Sequence, residues 1–140
     1  ELDKLRELPR NSMLMFIDID NFKEVNDRFG HKVGDALLVT VSKILHAATR
    51  KTDTPARLGG DEFVILLPDT TQEEALAVAG RIMDSAAVMS VTQEYAFHCT
   101  LSIGIASATQ GMQNVTDWLK AADDALYKAK RRGKNQIYSH

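Results

Sequence analysis

Two strand-like stretches, residues 54–58 and 63–67, are joined by Gly59-Gly60-Asp61-Glu62. Consecutive glycines between such stretches make a tight β-hairpin, because glycine enters positive-φ turn conformations without a Cβ clash. Pro68 and Asp69 then end the second strand. This hairpin constrains the fold more than any other feature of the 140-residue chain: the remaining segments must build a sheet around one antiparallel pair. Residues 13–18 (MLMFID) are a short apolar run and read as a buried strand. Residues 97–106, with Gly104 inside, and residues 136–138 predict two more strands.

Between these the apolar period changes to that of a helix. Phe22, Val25 and Phe29 share a face, with Gly30 able to end it; Leu37, Leu38, Val41, Leu45 and Ala48 mark a longer amphipathic helix. Thr71 followed by Glu74 is a capping box opening a helix over 72–89. Leu119, Ala122, Leu126 and Ala129 line a helix over 116–130, after a loop at 109–114, and Gly133 stops it. Leu2, Leu5 and Leu8 give residues 1–10 a short amphipathic helix ending at Pro9. The order β-α-α-β-β-α-β-α-β implies an α/β (α+β) fold, a mixed central sheet with surrounding helices, as one domain over 1–140 whose residues 1–11 are a helical lead-in.

Composition narrows the function classes. Hydrophobic residues make up 44% and charged residues 26%, as in ordinary globular domains. A formal net charge of −2 gives no global basic footprint for DNA or RNA. The single cysteine, Cys99, cannot form an internal disulfide and reads as a buried thiol, in keeping with a reducing cytoplasm. No apolar run approaches the roughly 20 residues that span a bilayer, so no membrane contact is expected of this segment. A start at Glu1 and not Met reads as part of something longer, such as the cytoplasmic part of a sensor protein.

Two places gather carboxylates beside an apolar strand: Asp18-Ile19-Asp20 and Gly60-Asp61-Glu62. Several like charges crowded together are costly, and a hard divalent cation resolves the conflict, since Mg²⁺ takes oxygen ligands and shares them with substrate phosphates. If the first strand lies beside the hairpin, Asp18 and Asp61 can hold metal ions between them. On spacing alone, either turn taken separately reads as readily as a plain chain reversal or a helix cap.

Gly59-Gly60-Asp61-Glu62-Phe63 is the literal GGDEF signature. Upstream stand Phe16-Ile17-Asp18-Ile19-Asp20-Asn21-Phe22-Lys23, Asn26-Asp27, Phe29-Gly30-His31 and Gly34-Asp35. Downstream stand Ser102-Ile103-Gly104-Ile105-Ala106, Ala125-Leu126-Tyr127-Lys128-Ala129-Lys130 and Gly133-Lys134-Asn135. From about Met13 onward the chain resembles the diguanylate cyclase (GGDEF) family. The resemblance implies a fold related to the palm of nucleotide cyclases and polymerases. It also implies a Mg²⁺-dependent (or Mn²⁺-dependent) condensation of two GTP into cyclic di-GMP by a two-fold homodimer. Asp18, the Ile19 carbonyl and Asp61 match metal contacts, Asp61 also being the family's candidate general base. Glu62 matches a residue that helps hold metal or substrate. Lys23 matches a lysine that stabilises phosphate charge, Asn26 and Asp35 the guanine readers, and Lys130 and Lys134 the holders of the terminal phosphates. Gly59 and Gly60 leave room for the triphosphate.

Arg50-Lys51-Thr52-Asp53 is R-x-x-D and matches the family's inhibitory product site. Without the family, Lys23, Lys130 and Lys134 read as solvated helix charges, Asp35 as a helix N-cap, His31 as structural, and Trp118 and Tyr127 as packing residues. One departure stands out: the D-x-L-T-G-L-x-N-R segment before the first strand is only faintly echoed in Leu8-Pro9-Arg10-Asn11. The competing readings are a GGDEF domain without turnover that senses GTP or cyclic di-GMP, and an interaction scaffold. Asp18, Lys23, Gly59, Gly60, Asp61 and Glu62 are all present, which favours the enzyme.

Overall fold

Strand β1 (Met13–Ile19) is buried along its whole length and lies at the centre of the sheet. A strand covered on both faces has no polar side to show, which is why residues 13–17 read as an unbroken apolar run. The computed structural model describes residues 11–88, 100–108 and 115–139. After β1 come α1 (Phe22–Phe29), α2 (His31–Ala48), β2 (Thr54–Gly59), β3 (Glu62–Leu67), α3 (Gln72–Ala87), β4 (Leu101–Ser107), α4 (Val115–Arg131) and β5 (Ile137–Ser139). The five strands run in the order β2-β3-β1-β4-β5, with β4 and β5 parallel and every other pair antiparallel. The α/β (α+β) mixed sheet expected from the element order is the architecture found.

Side chains alternate across a strand, so the two faces of β1 feed two cores. Met13, Met15, Ile17 and Ile19 pack with Val25 of α1, Leu37, Val41 and Leu45 of α2, and Ile82 of α3. Leu14 and Phe16 pack with Trp118, Ala122 and Leu126 of α4. Helix α4 sits very close to the sheet: a Cβ on Gly104 would lie 2.1 Å from the backbone nitrogen of Leu126. Glycine is required there by the approach of another backbone.

The Thr71–Glu74 capping box is present in full, each residue bonding the other's backbone N–H. Several expectations need correction. Helix α2 starts at His31, earlier than its apolar stripe, so Asp35 lies inside the helix and Gly30 occupies the cap position at φ 91°. Tyr127 is 60% exposed and is not a packing residue; Arg131 lies over its ring, 5.7 Å from the centroid. Trp118 is buried as expected, its indole N–H donating to the Ala106 carbonyl. The expected helix over 1–10, the loop at 109–114 and Cys99 lie outside the described residues, as do residues 97–99 of the expected strand and the last residue of the helix over 72–89.

Candidate active site

The register of β1 against β3 sets Asp18 directly opposite Glu62. Opposite residues of an antiparallel pair project to the same face, and like charges there repel. The turn itself reaches β1: the Ile19 N–H donates to the Asp61 carbonyl at 3.3 Å. The two acidic turns therefore meet at the end of the central strand. Asp18 is only 6% exposed, on the face covered by α4, and Lys130 from the last turn of that helix bonds its Oδ2. Its other oxygen, Oδ1, is buried with no hydrogen-bond partner.

Burial pushes the Asp18 carboxyl up to about 7; Lys130 pulls the other way, and the neighbouring Asp61 carboxyl adds to the rise. Burial also works against the Lys130 ammonium, but its bond to Asp18 and the charges of Asp18, Asp20 and Asp61 prevail and raise its pKa above the ordinary lysine value. A carboxylate with one orphaned oxygen, a second carboxyl within hydrogen-bond reach and a cationic side chain against it is a place prepared for positive charge. Among the described residues no group of three or more His, Cys, Asp or Glu gathers as a complete metal cage. Two carboxylates suit Mg²⁺, which keeps waters or takes substrate phosphates for its remaining positions.

The turn glycines leave space. Gly59 and Gly60 have φ of 149° and 53°, and a Cβ on either would meet nothing within 4 Å. Lys134 follows α4 in a turn where Gly133, Lys134 and Asn135 all have positive φ, of 119°, 60° and 49°. Its Nζ donates to Asn21 Oδ1 at 2.8 Å. The guanine candidates are brought toward each other by a glycine: a Cβ on Gly34 would lie 1.8 Å from Asn26 Oδ1, so the Asn26 amide rests on α2 next to Asp35. Lys23 is exposed in the first turn of α1. Asp18, Asp61 and Lys130 thus meet at one point, Glu62 stands opposite Asp18 in the register with an exposed side chain, Lys134 is tethered beside β1, and no hydrogen bond or ion pair joins Lys23 to them.

Arg50 and Asp53 form a second constellation. The Asp53 side chain is buried; its Oδ2 accepts from the Arg50 N–H at 2.8 Å, and its Oδ1 lies 3.4 Å from the Arg50 guanidinium. The same guanidinium donates to Thr70 Oγ1 and the Pro68 carbonyl. A cleft beside them is also lined by Thr70, Glu74 and Arg81, and Arg81 bonds the Ala48 carbonyl. Sequence reasoning missed Arg81, since one arginine on an exposed helix face carries no local signal; only the packing of α3 on α2 brings it beside Arg50.

A family model described as "Diguanylate cyclase, GGDEF domain" matches residues 1–136. The probable diguanylate cyclase DgcC of Escherichia coli (strain K12) is 36% identical over 136 residues, covering 97% of this chain. The chain spans 37% of the length of that relative. The diguanylate cyclase SiaD from Pseudomonas aeruginosa, solved in complex with its activator SiaC, superposes with a TM-score of 0.90 at 33% identity over 99% of this chain and 56% of that one. The coiled coil and GGDEF domain of DgcB from Caulobacter crescentus, solved in complex with c-di-GMP, gives 0.86 at 26% identity over 92% of this chain and 69% of that one. The chain belongs to the GGDEF diguanylate cyclase family, and the match reaches residue 1 despite the faint lead-in motif.

Proposed function

We propose that this domain condenses two GTP into cyclic di-GMP, each of two facing copies presenting one nucleotide. The observation that carries the reading is the buried, partnerless Oδ1 of Asp18 at the meeting point of the two acidic turns. A Mg²⁺ or Mn²⁺ ion held by Asp18, the Ile19 carbonyl and Asp61 would neutralise phosphate charge and polarise the α-phosphate. Glu62 helps hold metal or substrate. Lys130 and Lys134 hold the terminal phosphates, and Lys23 adds positive charge as pyrophosphate leaves. Asp35 accepts from the guanine N1–H and exocyclic amine, and Asn26 bonds the same base. Gly59 and Gly60 leave the turn open to the triphosphate.

In the reaction the 3′-oxygen of one GTP bonds to the α-phosphorus of the other while that phosphorus loses its bond to the bridging oxygen of pyrophosphate. Asp61 takes the 3′-hydroxyl proton. The same step with the roles exchanged closes the ring, so two pyrophosphates leave per product. Because each site holds one GTP, turnover needs a two-fold dimer. GTP as substrate places the domain in the cytoplasm. The cleft between Arg50, Asp53 and Arg81 would take cyclic di-GMP as inhibitor, with guanidinium groups on its phosphates and guanine edges.

Incubation with GTP and Mg²⁺, followed by chromatography, tests the activity. The expected result is one cyclic di-GMP per two pyrophosphates, at a rate rising more steeply than protein concentration. Asp61→Asn should abolish turnover while melting like the parent; near-normal turnover in that variant rejects the base assignment. GTP binding without any product would instead identify a sensing domain. Arg50→Ala should relieve inhibition by added cyclic di-GMP, and unchanged inhibition excludes the cleft as the inhibitory site.

A further inference from the structure

Asp20 stands two residues beyond Asp18 and differs from it in one respect: both of its oxygens are satisfied. It is 4% exposed, and Oδ1 accepts from Ser102 Oγ at 2.6 Å. Oδ2 accepts from Thr100 Oγ1 at 2.6 Å and from the backbone N–H of Asn135 at 3.0 Å. A buried carboxylate is tolerated when hydrogen bonds replace its hydration, and three donors do so here. They come from β4, from the residue before it, and from the turn that carries Lys134. The side chain thus ties the end of β1 to β4 and to the turn that carries Lys134.

That turn is strained. Lys134 and Asn135 are consecutive non-glycine residues at positive φ. Such conformations persist where surrounding contacts over-determine them, and they concentrate at functional sites. The Asn135 N–H bond to Asp20 is one such contact, and the bond from the Lys134 N–H to the Ala129 carbonyl at 3.2 Å is another. Asn21, itself at φ 59°, supplies a third by accepting from the Lys134 ammonium.

We propose that Asp20 and Asn21 are positioning residues that hold Lys134 ready for the terminal phosphates of the substrate. The inference rests on the phosphate role assigned to Lys134 above and deepens it. A free lysine gives up rotamer freedom when it is fixed. A lysine already held by a neutral amide oxygen, on a turn already locked, gives up less when another of its three N–H donors takes a phosphate oxygen. Asp20 locks the backbone and Asn21 restrains the side chain; neither touches substrate.

The test measures affinity for a GTP analogue carrying a methylene in place of the α–β bridging oxygen, and for GMP, which lacks the terminal phosphates. Asn21→Gly removes the amide oxygen while glycine accepts the positive φ freely, so the fold should be retained or stabilised. Asn21→Gly and Asp20→Asn should each weaken the analogue by about fivefold to tenfold, part of the rotamer freedom that a free lysine gives up, and leave GMP unchanged. Asn21→Gly added to Lys134→Ala should have no further effect, because its partner is already gone. If Lys134→Ala weakens the analogue but Asn21→Gly does not, the positioning inference is overturned and the phosphate role stands. Equal weakening of GMP and the analogue by Asn21→Gly would also overturn it. If Lys134→Ala itself leaves the analogue unaffected, the phosphate role falls and the inference with it.

Discussion

Asp18 and Asp20 are separated by one residue and have nearly the same burial, yet the fold treats them in opposite ways. Asp20 is closed off by three donors, whereas Asp18 keeps one oxygen without a partner and has a second acid nearby. Spacing alone shows both as acids at a strand end, and only the family resemblance singles out Asp18, because the discriminating partners are Thr100, Ser102, Lys130 and Asn135, more than 80 residues away for all but Thr100 at 80. The difference has a pH signature. The Asp18 carboxyl is raised in the fold to about 7 from an ordinary value of 3.8. Its contribution to stability is therefore fully present below about 4 and is lost as pH rises through about 7. In the absence of divalent cation, Asp18→Asn should gain in melting temperature relative to the parent between pH 5 and pH 8. A difference independent of pH would show that the Asp18 carboxyl has its ordinary affinity for protons.

At the scale of elements, most of the architecture was legible. The hairpin glycines, the apolar run of β1 and the Thr71–Glu74 box are local signals, and each formed the element it predicts. The start of α2 was less legible: His31, Lys32 and Asp35 are exposed on it and leave no apolar stripe before Val33. The least legible feature is the contact that aims Lys130. Helix α4 lies so close to β4 at Gly104 that a Cβ there meets helix backbone, which cannot yield as a flexible side chain would. Gly104→Ala must push α4 away from the sheet, costing about 1–3 kcal/mol as overpacking does. It should also lower turnover more than the loss of folded protein explains, since Lys130 moves with the helix. Denaturant titration beside an activity assay separates the two effects, and parental stability in the variant would rule out the close approach.

Across the whole molecule, one sheet divides the labour. Its one face, under α1, α2 and α3, holds the larger core. Its other face, under α4, carries the smaller core and, at its edge, the charged groups. The C-terminal end of β1, the β2–β3 turn and the last turn of α4 converge there, so a nucleotide would be held by elements far apart in the chain. In the proposed function Asp18 and Asp61 together receive a divalent cation beneath GTP. Electron paramagnetic resonance of Mn²⁺ titrated into the protein with the methylene-bridged GTP analogue measures this directly. Protein-bound Mn²⁺ is expected in the parent, and its loss both in Asp18→Asn and in Asp61→Asn while each variant remains folded. Mn²⁺ bound with undiminished affinity by both variants would contradict it.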